Sequence, residues 1–292
     1  MDRRILTDKI AGGGMAVIAI ASLILVLGIA VGLYVKSEPV LSEHSLWKLL
    51  STAEWKPMAG EFGFLPFIAG TFFITLLSVA IALPVSLLMA IFLTEYSNSG
   101  VRKWVYPLLD ILAGLPSVLY GVWGTLVIVP WISEWLAPRL GMQSGGYSLL
   151  AGGLVLSVMI IPLMESLFIE LFTGVGNEYR EGSYALGATR WQTVKYVVLR
   201  RTAPGIIAAV VLAVSRALGE TMAVMMVCGN LPIVPKKLLD ACYPIPALIA
   251  NNYGEMLSMP LYESALMFAA LILFVLVLIF NLFARVTLRK LV

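Results

Sequence analysis

The hydrophobic positions of this chain fall into six long blocks. Ala11 to Val35 carries no charge, and its length is enough to cross roughly 30 Å of hydrocarbon with some tilt. It is too long for a signal-peptide core and no convincing small-residue cleavage site follows it, so it reads as a retained helix. Phe64 to Leu93 is a second uncharged run, interrupted only by Pro66 and Pro84. The third block, Trp104 to Trp131, holds one acid, Asp110. The fourth, Tyr147 to Phe172, carries Glu165 and Glu170 in its second half. The fifth, Ala203 to Cys228, contains Arg216 and Glu220, and the last, Ser264 to Ala284, is free of charge. The pattern predicts an all-α polytopic membrane protein with six transmembrane helices.

The polar stretches between the blocks set the orientation. The N-terminal tail, the 94–103 loop, the 173–202 segment and the C-terminal tail hold 13 of the 20 Lys and Arg residues; segments 36–63, 132–146 and 229–263 hold 6, and Arg216 is the last. Basic residues gather on the cytoplasmic side, so both termini are expected there. Trp131, Trp135 and Tyr147 suit an interfacial aromatic belt, and Met58 to Phe67, mixing Gly and Pro with aromatics, suits a segment lying at the interface.

Composition agrees. Of the 292 residues 60% are hydrophobic and 13% charged, where a soluble domain carries about 25% charged. A net charge of +3 is too small to suggest nucleic acid as a partner. Two cysteines, Cys228 and Cys242, make neither a disulfide framework nor a metal cluster, and a pairing across the outer loop stays open. With His44 the sole histidine, a histidine-based metal site is out of reach. No Gly-Lys dipeptide occurs, so there is no phosphate-cradling P-loop. No nucleophile with a base stands out either, so an enzyme is not expected and no cofactor is called for.

Asn177 to Arg201 (NEYREGSYALGATRWQTVKYVVLRR) reads as two short helices, one on each side of Gly187, which permits the turn between them. Trp191, Val194 and Val198 form an apolar stripe at helical spacing. Such a pair could rest on the membrane interface or dock into a groove on a partner.

Glu181-Gly182-Ser183, then Gly187, then Val197-Val198-Leu199 resembles the "EAA" loop of ABC importer permeases, with Gly182-Ser183 in place of the usual Ala-Ala and Arg200 in place of the usual Pro. Further stretches resemble the phosphate-specific permease of the PstC type: Leu65-Pro66-Phe67-Ile68 with Gly70-Thr71, Ala90 to Glu95 (AIFLTE), Ala113 to Gly121 (AGLPSVLYG) and Arg216 to Val224 (RALGETMAV). The resemblance implies a type I, MetI-like importer permease fold in a bacterial inner membrane. Residues 1–63 would form an N-terminal helix and first extracytoplasmic loop, and 64–292 a permease core with a coupling loop at about 177–201. Glu181, Ala185, Leu186 and Gly187 would be the surface that docks an ATPase. The implied partners are a second permease subunit (PstA type), two ATP-binding subunits (PstB type), an extracytoplasmic phosphate-binding protein, and phosphate itself.

Arg216 and Glu220 lie four residues apart, about 6 Å along a helix and on one face. A lone charge at mid-membrane costs about 2.5–3.5 kcal/mol on the lenient insertion scale. One reading is a mutually neutralising pair that locks helix packing. The other places both on a substrate path: Arg presents a planar fork of donors to phosphate oxygens, and Glu accepts a hydrogen bond from a phosphate that still carries a proton. Thr221 adds a hydroxyl, and Pro116 with Ser117 would bend helix three and free a carbonyl beside the path. Asp110 reads as an interfacial cap or a partner for Arg102 or Lys103, Glu170 as interfacial, and Glu165 as deep enough to need a partner. A permease for another oxyanion (molybdate or sulfate) and a self-sufficient secondary transporter are the competing functions.

Overall fold

The computed structural model describes residues 2–254 and 259–289. Met1, residues 255–258 and residues 290–292, which belong to the two tails and the last outer segment counted above, lie outside the described residues.

The chain is helical, with eleven helices named here in order: α1 (Asp2–Glu43), α2 (Leu46–Ser51), α3 (Leu65–Tyr96), α4 (Ser99–Gly114), α5 (Ser117–Arg139), α6 (Leu149–Thr173), α7 (Asn177–Ala185), α8 (Arg190–Leu218), α9 (Met222–Val227), α10 (Ile245–Asn252) and α11 (Pro260–Arg289). Six of them, α1, α3, α5, α6, α8 and α11, are long and apolar enough to cross a membrane. Short polar side chains start several helices by accepting from free backbone N–H groups. Asn98 Oδ1 accepts from Val101 N at 3.0 Å before α4, and Ser148 Oγ from Ala151 N at 3.2 Å before α6.

The core is built on α3 lying against α6. Two adjacent glycines let the helices approach: a Cβ at Gly152 would stand 2.3 Å from Ile74 Cδ1, and one at Gly153 2.5 Å from Leu77 Cδ2. Leu156, Ile160, Met164, Phe168 and Phe172 continue this seam, all fully buried. A second cluster closes the other end. There β1 (Trp55–Lys56) pairs antiparallel with β2 (Glu61–Phe62), and Trp55 packs edge-on against Phe62, Phe64 and Phe67. The segment read as interfacial is thus a small hairpin capping an aromatic core. α1 packs on α11 with most of its apolar residues from Met15 to Val35 exposed, and is tied to it near its end, where Lys36 Nζ lies 3.4 Å from Glu263 Oε1 and Val40 N donates to Ser264 Oγ at 3.0 Å.

Two spans differ from the hydropathy reading. The third block is not one helix. Pro116 disfavours the helical conformation at Leu115, which is extended (φ −67°, ψ 134°), so α4 ends at Gly114 and the crossing helix is α5, starting at Ser117. Pro130 and Pro138 lack the N–H that an α turn uses, and wide i→i+5 turns at Gly124–Ile128 and Ile132–Leu136 precede them. The fifth block is also broken. α8 begins at Arg190, so the second helix expected after Gly187 is the opening of a long span and not a short separate element. It ends at Leu218, and Gly219-Glu220-Thr221 separates it from α9.

Candidate functional site

The two helix breaks face each other through α5 and α9. Gly121 and Gly124 make the approach possible: a Cβ at Gly121 would lie 2.7 Å from Met226 Sδ and 3.2 Å from Ala223 Cα, and one at Gly124 2.9 Å from Val227 Cγ1. Thr125 Oγ1 donates to Met226 O at 3.3 Å, tying the helices together. Tyr120, one turn beyond Ser117, donates its hydroxyl to Leu112 O at 2.7 Å and so stitches α5 to the last turn of α4 across the first break.

Arg216 sits in the last turn of α8, exposed. Among the described residues no carboxylate pairs with it, and its guanidinium lies within electrostatic reach of Tyr120. The neutralising Arg216–Glu220 pair does not form. The helix ends between the two residues, so they never share a helical face, and Glu220 Oε1 instead accepts from Ala223 N at 3.2 Å and caps α9. Thr221 Oγ1 donates to Gly219 O at 3.2 Å inside the break. Ser117 is half-buried at the start of α5. Two of the four expected path residues, Glu220 and Thr221, therefore hold the break itself, while Arg216 offers uncommitted donors beside it.

Two other expectations change. Arg102 bonds Thr94 O at 2.9 Å and Ser97 Oγ at 3.0 Å, so it does not partner Asp110, which stands exposed on α4 without a salt bridge to Lys103 either. Glu165 is fully buried, and neither carboxylate oxygen has a hydrogen-bond partner among the described residues; an ionised carboxylate there carries a desolvation cost of several kcal/mol. Glu170 is exposed at the end of α6, beside a cleft of about 640 Å³ that Arg201 also lines, in keeping with an interfacial place.

The second candidate surface is the elbow between α6 and α8. α7 ends at Ala185, and Gly187 turns the chain with φ +81°, its N–H donating to Tyr184 O at 2.9 Å. An L side chain disfavours that conformation, which is why Gly stands there. Thr189 and Gln192 form a reciprocal capping box at the start of α8 (Thr189 N to Gln192 Oε1, 2.7 Å; Gln192 N to Thr189 Oγ1, 3.3 Å), and Ser183 Oγ meets the buried Thr193 Oγ1 at 2.9 Å, joining the two arms. Glu181, Ala185, Leu186 and Gly187 all face outward, Leu186 being 90% exposed.

What anchors this elbow was not visible in the sequence. Arg180 donates from Nη2 to Glu95 Oε1 at 2.6 Å and to Phe172 O at 2.8 Å, and from Nη1 to Val175 O. Glu95 is the last acid of α3 and is buried. A carboxylate closing an otherwise apolar helix was the one available signal. Arg201 stacks its guanidinium 3.9 Å over the Tyr179 ring, adding a second clamp.

Similarity to known proteins matches this architecture. Residues 82–292 match the family described as "Binding-protein-dependent transport system inner membrane component". The chain is 38% identical over 240 residues to the probable ABC transporter permease protein YqgH of Bacillus subtilis, covering 82% of this chain and 76% of that one. It is 34% identical over 299 residues to the phosphate transport system permease protein PstC of Mesorhizobium japonicum, covering 98% and 91%. Among solved structures, an inward-facing MetNI methionine ABC transporter overlays with a TM-score of 0.55 at 19% identity (82% of this chain, 100% of that one). A bacterial alginate importer does so with a TM-score of 0.60 at 17% identity (78% and 79%). The six spans, the broken helices and the elbow thus belong to a multi-pass permease component and not to an enzyme, and the chain is a member of the binding-protein-dependent transport system inner membrane component family.

Proposed function

We propose that this chain is the transmembrane permease subunit of an ATP-driven phosphate importer, forming half of the translocation pathway. The observation that carries the reading is Arg216: an exposed guanidinium at a helix break, without a carboxylate partner among the described residues and within electrostatic reach of Tyr120 next to the second break. Discontinuous helices of this kind are how membrane carriers present polar groups to a solute at depth. Phosphate matches the planar donor fork of Arg216, and the likeness to PstC permeases over nearly the whole chain supports that anion over other substrates. Glu220 and Thr221 shape the break, and Ser117 supplies a hydroxyl.

The elbow is the coupling surface, with Glu181, Ala185, Leu186 and Gly187 seated in an ATPase of the PstB type. A second permease of the PstA type completes the pathway, and an extracytoplasmic phosphate-binding protein delivers the anion. Both termini and the elbow lie on the cytoplasmic side, in accord with the distribution of Lys and Arg. ATP binding closes the ATPase pair and rocks the two permeases between outward-open and inward-open states.

The test is ATP-dependent phosphate uptake by vesicles holding the chain with its partner subunits. Arg216→Gln is expected to abolish uptake with assembly intact, and Gly187→Asp to abolish uptake by losing the ATPase. Normal uptake by Arg216→Gln sinks the path role. Preferential uptake of sulfate or molybdate reassigns the substrate, and phosphate uptake by this chain without ATP makes it a self-sufficient carrier.

A further inference from the structure

The two cysteines of this chain meet. Cys228 follows the last residue of α9, and Cys242 lies after a 13-residue outer loop, 229–241. Cys242 N donates to Cys228 O at 2.9 Å, and Gly229 and Cys242 form a parallel bridge. Both thiols are fully buried and lie within hydrogen-bonding reach of one another. Cys228 is also held from below: a Cβ on Gly152 of α6 would stand 2.6 Å from its Sγ. A disulfide demands Cα atoms about 4.4–6.8 Å apart and side chains directed at each other. Two backbones in direct hydrogen-bond contact, with their thiols within reach of one another, suit that geometry.

The loop between them is a built piece of the outer end. Its carbonyls cap the first turn of α6: Leu149 N donates to Asp240 O and Leu150 N to Leu238 O, each at 2.8 Å, while Ser148 N reaches Val227 O at 3.1 Å. Asp240 Oδ2 in turn accepts from Lys236 N and Lys237 N, both at 2.9 Å. The same loop walls an open cleft of about 530 Å³ beyond α9, with Tyr147, Met226, Asn230 and Leu239 among its lining. Seating this loop fixes the position of α9, which directly follows the second helix break.

We propose that Cys228 and Cys242 are joined in the mature protein by a disulfide that staples the outer loop to the end of α9. The inference rests on the proposed orientation, because disulfides persist on the extracytoplasmic side and not in the cytosol. The bond forms by exchange with the disulfide of an extracytoplasmic thiol–disulfide donor. The Cys228 thiolate attacks a donor sulfur and gives a mixed disulfide, expelling a donor thiolate. The Cys242 thiolate then attacks Cys228 Sγ, closing the Cys228–Cys242 bond and releasing the second donor thiolate. Two electrons have passed to the donor, and the two protons lost by the cysteines end on its thiols. Because both thiols are wholly buried once the loop is seated, the exchange precedes seating.

The experiment is differential alkylation of the full chain from native membranes. Cells are quenched with N-ethylmaleimide, the protein is denatured with excess reagent still present, and its intact mass is measured before and after reduction. No adduct before reduction and two after it are expected, with Cys242→Ala giving one adduct without reduction. Two adducts on the unreduced wild-type chain overturn the disulfide. A melting midpoint several degrees lower after reduction supports the stapling, and an unchanged midpoint overturns it. A Lys237→Cys probe in a chain carrying Cys228→Ser and Cys242→Ser separates the two ideas. Labelling of that probe from outside intact cells by a membrane-impermeant maleimide, together with a reduced native pair, leaves the orientation standing and the disulfide refuted. Absence of outside labelling refutes the orientation, and the disulfide with it.

Discussion

The elbow and the paired helix breaks are both departures from regular helix, yet they are held in opposite ways. In the elbow the anchoring polar groups are committed: Arg180 to Glu95 and two carbonyls, Ser183 to Thr193, Thr189 to Gln192. At the breaks the backbone is secured by Glu220 and Tyr120, while Arg216 makes no salt bridge among the described residues. Under the function proposed above the elbow transmits force, and a segment with that task must not yield. Under the same proposal the breaks handle a passing anion, and that task requires donors kept free for it, at a cost in electrostatic energy.

Perturbations can break that contrast. The largest effect is expected from Glu95→Ala, which leaves the Arg180 guanidinium without its carboxylate partner and should destabilise the elbow by about 3–5 kcal/mol. Thermal melting with ATPase co-purification checks it, and retention of both would show that the elbow is not anchored as described. Next, Gly121→Leu forces a side chain into Met226 and the α9 backbone, at a cost of about 1–3 kcal/mol. Uptake should fall with ATPase binding intact, which separates the breaks from the elbow. Thr189→Ala removes one half of the capping box and should cost about 1 kcal/mol, read as a small drop in the melting midpoint. Asp110→Asn, at an exposed position of α4, should change stability by less than about 0.5 kcal/mol and leave uptake unaltered; a large loss would draw α4 into the path.

The six crossings were legible because a membrane solvent imposes long apolar runs, and Gly187 was legible because a positive φ calls for a residue without Cβ. The breaks were less so. Hydropathy runs smoothly through Leu115-Pro116 and through Gly219-Glu220-Thr221, so a window of apolar residues joins what the backbone separates. The Pro116 signal was present and implied a bend; the structure makes it a full stop. Arg216 and Glu220 were matched by an i, i+4 rule that holds only inside a helix, and the helix ends between them. The Glu95–Arg180 pair joins residues 85 positions apart, and no local pattern connects them.

α1 carries one more consequence, for assembly. It packs chiefly on α11, and its bond from Val40 to Ser264 spans 224 residues, while the family match begins only at residue 82. Synthesis proceeds from the N-terminus, so α1 is made before α11 and waits in lipid until that neighbour arrives. α1 finds its neighbour only after the intervening helices have been made, and its docking is a readout of the arrival of α11.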